Sequence, residues 1–247
     1  MKNNFETIDD VICDYLDQKN KGVAQARGLD YWAASSLGHC MRYQVLNRSG
    51  IMSSGKPNYA WRNAAQDGHS AHVWRQLALE HMGVLVDSEK SITDEELHYR
   101  GHYDLVVDLS GKIVLGDIKT QNNKAFMKRS RLPDKVDPQH KRQLGSYFYF
   151  LRRDVFPALS SARLYYVNKD KGVREEIEIL FEESYLMDIV KELKTLNLYW
   201  DKRILPKKEK ESFCYICPFR DLCDELHNKK DTTIDYAIQR SLYLKTK

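Results

Sequence analysis

The chain has 247 residues, of which 42% are hydrophobic and 30% are charged, and its formal net charge at pH 7 is +4. This composition supports a packed core and is typical of soluble proteins, and the length allows one large domain or two small ones. An apolar run long enough to cross a membrane and a basic-then-apolar leader are both missing, which excludes a transmembrane helix and a signal peptide. We therefore expect an intracellular, cytoplasmic protein without a membrane partner.

Two helices are predicted in the N-terminal part of the chain. Apolar residues recur at helical spacing over 5–18, and residues 59–82 predict a longer helix that carries His72. A histidine on such a helix is more often a core or surface group than a ligand. His69 and His81 also compete with His72 for any role, so periodicity leaves the choice open.

The stretch 101–119 predicts a β-hairpin, with Leu97–Asp108 and Lys112–Asp117 as its strands. Because the ends of a returning hairpin lie side by side, Asp104, Asp117 and Lys119 should converge. Two carboxylates this close repel each other unless a cation lies between them. The hairpin therefore indicates a divalent-metal site beside a lysine.

Around the hairpin, a short strand is predicted at Val84–Val86 and a long mobile loop at 121–138, which is polar, basic and broken by two prolines. The segment from Lys119 to Arg153, here called the basic segment, holds ten Lys or Arg and two acidic residues. A solvated basic loop is one interpretation. A phosphate backbone as partner fits better, because counterion release rewards clustered cations.

Candidate contacts to a phosphate backbone are therefore the basic side chains of the loop and of the helix that follows it. They are Lys124, Lys128, Arg129, Arg131, Lys141 and Arg142. Aromatic side chains nearby, such as Tyr103, Phe126 and Tyr149, could stack on bases without sequence preference.

The C-terminal half predicts a helix from Pro138, a second hairpin and two further helices. In the first helix Gln143 and Tyr147 are spaced i, i+4 and share a face, either as a functional pair or as a polar pair that merely caps a core helix. The later elements are predicted at Ala162–Asn168, Val173–Phe181, Glu182–Asp201 and 231–243. No glycine-rich nucleotide-binding loop occurs, so nucleotide hydrolysis is not supported.

Three cysteines, Cys214, Cys217 and Cys223, lie within ten residues, and Cys40 is the obvious fourth ligand of a tetrahedral set. Soft thiolates select zinc or an iron–sulfur cluster, and spacing alone favours the cluster only modestly. Without a secretion signal, a disulfide framework is not expected. Either metal would join the N-terminal region to the C-terminal tail.

Four short motifs follow one another along the chain: Gly68-x-x-x-His72, Gly101-x-x-Asp104, Asp117-Ile118-Lys119 and Gln143-x-x-x-Tyr147. Their order and approximate spacing are those of the RecB-type nucleases of the PD-(D/E)XK superfamily, which this sequence resembles over residues 36–227. The four cysteines match the iron–sulfur members of that group. The whole chain is similar to the CRISPR-associated RecB-like exonucleases and their phage-borne relatives.

The resemblance implies roles for the matched residues. His72, Asp104, Asp117 and the main-chain carbonyl of Ile118 would bind Mg²⁺ or Mn²⁺, and a histidine ligand favours Mn²⁺. Lys119 would position the attacking water or stabilise the transition state, while Gln143 and Tyr147 would hold the strand and the lysine. Cys40, Cys214, Cys217 and Cys223 would hold a [4Fe–4S] cluster. One departure is Asp117, where four-cysteine relatives often have glutamate.

The implied fold is α/β, with a mixed sheet of restriction-endonuclease type flanked by helices. An N-terminal helical region would be joined to a cysteine-rich C-terminal tail by the metal cluster. We expect a single nuclease domain over 1–247, with a helical region at 1–58, a core at 59–201 and a cysteine-rich segment at 202–247.

The implied function is that of a metal-dependent exonuclease that hydrolyses single-stranded DNA or DNA ends, in CRISPR adaptation or phage DNA metabolism. The alternative is a DNA-end-binding subunit of an integration or recombination complex with little turnover of its own, whose partners would include CRISPR integration proteins. A third interpretation is a zinc-stapled structural protein with a degenerate nuclease fold.

Overall fold

The computed structural model describes residues 30–51, 72–209, 212–215, 217–227 and 233–245. Within these ranges the chain folds around one mixed sheet with helices packed against it, which confirms the predicted α/β class. The strands are β1 (Trp32–Ala33), β2 (Leu85–Asp94), β3 (Tyr99–Leu109), β4 (Lys112–Gln121), β5 (Leu159–Asn168) and β6 (Arg174–Ile179).

Along the chain, the helices are interspersed with the strands. They are α1 (Met41–Arg48), α2 (72–81), α3 (Asn123–Arg129), α4 (Pro138–Asp154), α5 (Glu183–Asp201), α6 (Arg220–His227) and α7 (Ile234–Lys245). Short 3₁₀ turns lie at Ala34–Ser36 and Ser212–Tyr215. The predicted helix over 5–18, and residue Gly68 with the first part of the helix over 59–82, lie outside the described residues.

The sheet runs in the order β1, β3, β4, β5, β6. Strand β2 lies off this path and also pairs with β3. Strands β2, β3 and β4 are antiparallel neighbours, β4 and β5 are parallel, and β6 returns antiparallel to β5. The ladder between β3 and β4 covers only the turn-proximal half of β3, and β1 pairs with Tyr99 and Arg100 at the start of β3. The two central strands therefore separate in the middle of the sheet.

The predicted β3–β4 hairpin is confirmed, and its turn explains why it forms. Ser110 and Gly111 both have positive φ angles, 56° and 85°, the pattern of a type I′ turn whose twist matches the flanking strands. The side chain of Asp108 closes the turn, because its Oδ1 accepts a hydrogen bond from the Gly111 amide at 2.7 Å.

Two sequence predictions about local structure are wrong. Strand β2 reaches Asp94 instead of ending at Val86, because polar residues continue a strand that is paired with β3 along its length. The mobile loop predicted for 121–138 contains α3 in its first half. Its N-cap residue is Asn122, whose side chain accepts from the Ala125 amide at 2.8 Å.

Each face of the sheet carries its own apolar cluster. On one face α4 and α5 pack through Leu144, Phe148, Leu151 and Ile189 onto the larger cluster. On the other face Leu79 of α2 packs against a smaller cluster that includes Ile118. The sheet is thus sandwiched between α2 and the α4–α5 pair, and residues at the point where β3 and β4 separate lie between these layers.

Helix α4 approaches β3 closely at Gly101. A Cβ atom there would lie 2.5 Å from Cε1 of Tyr147 and 2.7 Å from the Tyr99 hydroxyl oxygen, so no side chain fits. The glycine therefore lets the Tyr147 ring pack directly on the strand.

We expect the substitution Gly101→Ala to lower the free energy of unfolding by about 1–3 kcal/mol, the usual cost of overpacking. Urea denaturation measures this change. The exposed neighbour Arg100, replaced by alanine, serves as the control. An alanine at position 101 that left stability unchanged would contradict the close contact between α4 and β3.

Candidate active site

Three carboxylates lie in one row across the three antiparallel strands. The register of β2 with β3 places Glu89 opposite Asp104, since Ser88 pairs with Leu105. The pairing of β3 with β4 begins at the residue after Asp104 and brings Asp117 beside it on the other side. The row sits where β3 and β4 separate, which opens space between the strands.

Helix α2 adds His72 to this row. One ligand atom from each of His72, Glu89 and Asp104 lies within 4.8 Å of the others. The His72 Nδ1 atom is 3.5 Å from Oδ2 of Asp104 and 3.9 Å from Oε1 of Glu89. An imidazole nitrogen with two carboxylates is a donor set that suits Mn²⁺ or Mg²⁺.

The sequence prediction missed Glu89, because it ended the strand at Val86, three residues before Glu89. The residue adopts φ = 50°, which is uncommon for a residue other than glycine, and two side chains hold its carboxylate. Gln76 Nε2 donates to Oε1 at 2.6 Å, and His102 Nε2 lies 2.8 Å from Oε2. A sequence prediction that extended β2 into a hairpin with β3 would have identified Glu89, because Glu89 and Asp104 stand at equal distances from the turn between these strands.

Asp117 is 1% exposed and lies outside the group of three. Its Oδ2 atom is 2.8 Å from Nζ of Lys119, yet it accepts no hydrogen bond of ordinary geometry. A buried carboxylate oxygen with spare acceptor capacity calls for a further partner, and a cation bound by the neighbouring residues of the row would be one.

The main chain of Ile118 contacts the same residues. Its amide donates to Oδ2 of Asp104 at 2.7 Å, and the Ile118 backbone also forms a hydrogen bond with the His72 ring. The resemblance assigns the Ile118 carbonyl as a ligand, and the structure brings this peptide unit next to His72 and Asp104.

The electrostatics of the row favour a cation. Burial raises the pKa of Asp104 well above its usual value, and the charge of Asp117 raises it further. Burial lowers the pKa of His72 against the opposing effect of Asp117 and Glu89, so the imidazole is readily neutral and able to bind a metal. These residues therefore fit a divalent cation by their donor atoms and by their charge.

Lys119, Gln143 and Tyr147 form a hydrogen-bonded chain beside the row. Nζ of Lys119 donates to Oε1 of Gln143 at 3.0 Å, and Nε2 of Gln143 donates to the Tyr147 hydroxyl at 2.8 Å. Burial alone would lower the pKa of Lys119, but Asp117 and Asp104 outweigh it and raise the pKa. A charged ammonium is thus held against Asp117.

The predicted DNA contacts divide into two groups. Lys124, Lys128 and Arg131 are exposed on α3 and just beyond it. Lys141 pairs with Asp134 at 3.4 Å, and the Arg142 guanidinium pairs with Glu192.

Arg129 does not fit the predicted role, because it is only 2% exposed. Its guanidinium pairs with Glu175 at 2.8 Å and donates to the Lys135 carbonyl. Two of the aromatic residues suggested for base stacking, Tyr103 and Phe126, are buried as well and present no free face to a base. These three side chains hold the fold together instead of contacting DNA.

A cavity of about 400 Å³ lies between α1 and the C-terminal segment, and all four cysteines of the predicted ligand set line it. The buried Arg42 connects the two sides of this cavity. Its Nε donates to the Pro206 carbonyl at 2.6 Å, and Nη1 lies 3.6 Å from the Cys223 sulfur. The structure thus brings Cys40 together with the distant C-terminal thiols.

The profile of the PD-(D/E)XK nuclease superfamily matches residues 25–224. The chain belongs to this superfamily. Nucleases of this superfamily use divalent metals such as Mg²⁺ or Mn²⁺, and their fold binds DNA as substrate. A comparison with curated proteins finds no significant match. Among the described residues, no helix is long and apolar enough to cross a membrane.

Solved structures share the fold at low sequence identity. The crystal structure of SSO0001 has a TM-score of 0.55 at 18% identity, over 87% of this chain and 97% of that one. An alkaline exonuclease from Laribacter hongkongensis, LHK-Exo, has a TM-score of 0.50 at 13% identity, over 73% and 93% of the two chains. Its complex with dAMP has a TM-score of 0.50 at 14% identity, over 72% and 90%.

We expect Asp104→Asn to raise the stability of the metal-free protein at pH 7. The raised pKa means that the folded chain holds this proton more tightly than the unfolded chain, so ionisation of Asp104 costs stability. The gain should shrink as the pH falls towards the ordinary carboxyl pKa. Thermal unfolding after dialysis against EDTA measures it.

Mn²⁺ should raise the free energy of unfolding of the original protein by about 2.7 kcal/mol when its concentration is a hundred times its Kd. It should not stabilise the Asp104→Asn variant. Asp188→Asn on the exposed face of α5 is the matched control and should respond to Mn²⁺ like the original protein. An equal response of Asp104→Asn to Mn²⁺ would show that Asp104 does not bind the metal.

Proposed function

We propose that this protein is a metal-dependent deoxyribonuclease that acts as an exonuclease on single-stranded DNA or DNA ends. The observation that carries the proposal is the row of Glu89, Asp104 and Asp117, in which both aspartates are buried, completed by His72 and flanked by Lys119. An alkaline exonuclease among the structural neighbours, also known in complex with dAMP, supports the choice of exonuclease.

His72, Asp104 and Asp117 would hold the cation together with the Ile118 carbonyl, as the resemblance implies, and Glu89 joins them as a further ligand. When bound, the cation supplies a water molecule of lowered pKa and neutralises charge on the attacked phosphate. Asp117 and Gln143 hold the Lys119 ammonium in one place, where it adds positive charge beside the reacting phosphate.

The substrate strand would approach over the exposed cations of the basic segment. Three of these cations are exposed, unlike the buried Arg129: Lys124, Lys128 and Arg131. They lie in the stretch that directly follows β4, the strand that carries Lys119. Such contacts read the phosphate backbone without sequence preference, and binding through them weakens as salt rises.

A [4Fe–4S] cluster is the proposed occupant of the cysteine cavity. Among the described thiols, no three lie within 4.8 Å of one another. A single tetrahedral zinc ion would need thiolates about 3.8 Å apart, given a Zn–S bond near 2.3 Å. A cluster holds its four thiolates further apart, since each binds a different iron atom. The Arg42 guanidinium, 3.6 Å from the Cys223 sulfur, adds positive charge beside this site.

The alternative function is a DNA-end-binding subunit of an integration or recombination complex, whose partners would be CRISPR integration proteins. Its supporting observation is the exposure of Trp74 and Leu77, 51% and 59%, on α2 beside His72. Large exposed apolar side chains are typical of contact surfaces. Pull-down with integration proteins should survive Asp117→Ala if the binding role is the correct one. The domain assignment, one nuclease domain over 1–247, is part of either proposal.

Lys119→Ala should reduce the rate of Mn²⁺-dependent degradation of a single-stranded oligonucleotide by about 10²- to 10³-fold, the usual loss when a transition-state charge partner is removed. Mn²⁺ binding should persist, because the ligands remain. Lys112→Ala, at the exposed start of the same strand, is the control. Equal activity of the Lys119 variant and the original protein would refute the assignment of the site.

Freshly purified protein should be brown, with visible absorption that disappears in Cys223→Ala. The fifth cysteine supplies the matched control, since Cys13→Ala should keep the colour. Metal analysis of the same samples separates the two metals. Colourless protein that contains zinc would favour the zinc-stapled interpretation over the cluster.

A further inference from the structure

Behind the catalytic lysine lies a buried tyrosine that the proposed function does not use. In the parallel ladder between β4 and β5, Lys119 pairs with Tyr166. Tyr166 is fully buried, and the Arg129 guanidinium lies 4.0 Å over its ring. The ring is therefore fixed at the level of Lys119, next to the strand that carries it.

The Tyr166 hydroxyl contacts the first turn of α4 at two points. The Asp137 amide donates to it at 3.3 Å, and Nδ1 of His140 lies 3.1 Å away. Asp137 is the N-cap of α4, because its side chain accepts from the Gln139 amide. One hydroxyl thus joins the start of this helix to the centre of the sheet.

The direction of these hydrogen bonds follows from the donors available. Since the Asp137 amide can only donate, the hydroxyl proton is free to point at Nδ1 of His140, which must then be unprotonated. Burial, together with the charge of Lys119, lowers the pKa of His140 to about 4. The imidazole is therefore neutral at physiological pH and accepts the bond.

His140 and Gln143 are three residues apart on α4, so they lie on the same face of the helix. Gln143 is the residue whose Oε1 accepts from the Lys119 ammonium. Any rotation or lift of the first turn of α4 would move this acceptor away from the lysine. The Tyr166 hydroxyl opposes such a movement at the point where it would begin.

We propose that Tyr166 and His140 are positioning residues of the nuclease site, which hold the first turn of α4 so that Gln143 reaches Lys119. The inference rests on the proposed function, in which Lys119 acts on the reacting phosphate. The pair also connects the site to the stretch between α3 and α4. Arg129, which covers the Tyr166 ring, donates to the Lys135 carbonyl in the stretch that leads into α4.

A double-mutant cycle tests the proposal. Tyr166→Phe and His140→Ala should each reduce kcat about tenfold, a coupling of the size found between groups in one hydrogen-bond network. KM for the oligonucleotide should stay within about twofold, because none of these groups lies on the exposed cations that meet the strand. In a Gln143→Ala background neither substitution should reduce kcat further.

Two controls separate positioning from loss of stability. Tyr31→Phe removes a different tyrosine hydroxyl, one that donates to Glu95 at 2.7 Å far from the site, and should leave kcat unchanged. His140→Asn offers an amide oxygen as acceptor and should restore part of the lost rate. Equal losses of kcat with and without Gln143, or a loss confined to KM, would overturn the proposal.

Acetylation of Lys119, followed by mass spectrometry, tests the same positioning without any turnover. Tyr166→Phe should speed the labelling of Lys119 severalfold, because its ammonium loses a fixed acceptor, while labelling of Lys112 stays constant. If the original protein does not degrade DNA, the proposed function fails and this labelling alone decides the positioning claim. Unchanged labelling of Lys119 would reject it.

Discussion

Repulsion among buried carboxylates is the constraint on which the candidate site depends. Glu89, Asp104 and Asp117 stand side by side on three neighbouring strands, and burial deprives the two aspartates of the water that would screen their charges. A fold keeps such a row only if something compensates for it. Lys119 compensates on one side, and the donor atoms of His72 and the acids suit a divalent cation on the other. The nuclease chemistry of the superfamily needs that same cation.

The shape of the sheet makes this row accessible. Strands β3 and β4 pair only near their turn, and the residues beyond the last pair become the walls of the site. Helix α4 then closes one side, and it can do so because Gly101 leaves room for the Tyr147 ring. Packing that holds the helix on the sheet therefore also sets the distance from Gln143 to Lys119. Stability and site geometry rest on the same contacts.

Positive charge serves two different purposes in this molecule. Arg42 and Arg129 are buried, where each makes several hydrogen bonds and joins segments that are distant in sequence. Lys124, Lys128 and Arg131 are exposed and available to an anionic partner. Arginine suits the buried role because its planar guanidinium offers several donors in fixed directions and can also lie flat on an aromatic ring, as Arg129 does on Tyr166.

The sequence by itself determined whatever depends on local spacing. The hairpin that carries Asp104, Asp117 and Lys119 could be predicted because its turn residues and apolar runs are contiguous, and Gln143 shares a helix face with Tyr147 because they are one turn apart. Tertiary structure alone decided the rest. Glu89 enters the site because a polar strand pairs with β3, and Arg129 is buried because Glu175 and Tyr166 surround it. Both outcomes depend on partners far along the chain, which no local pattern records.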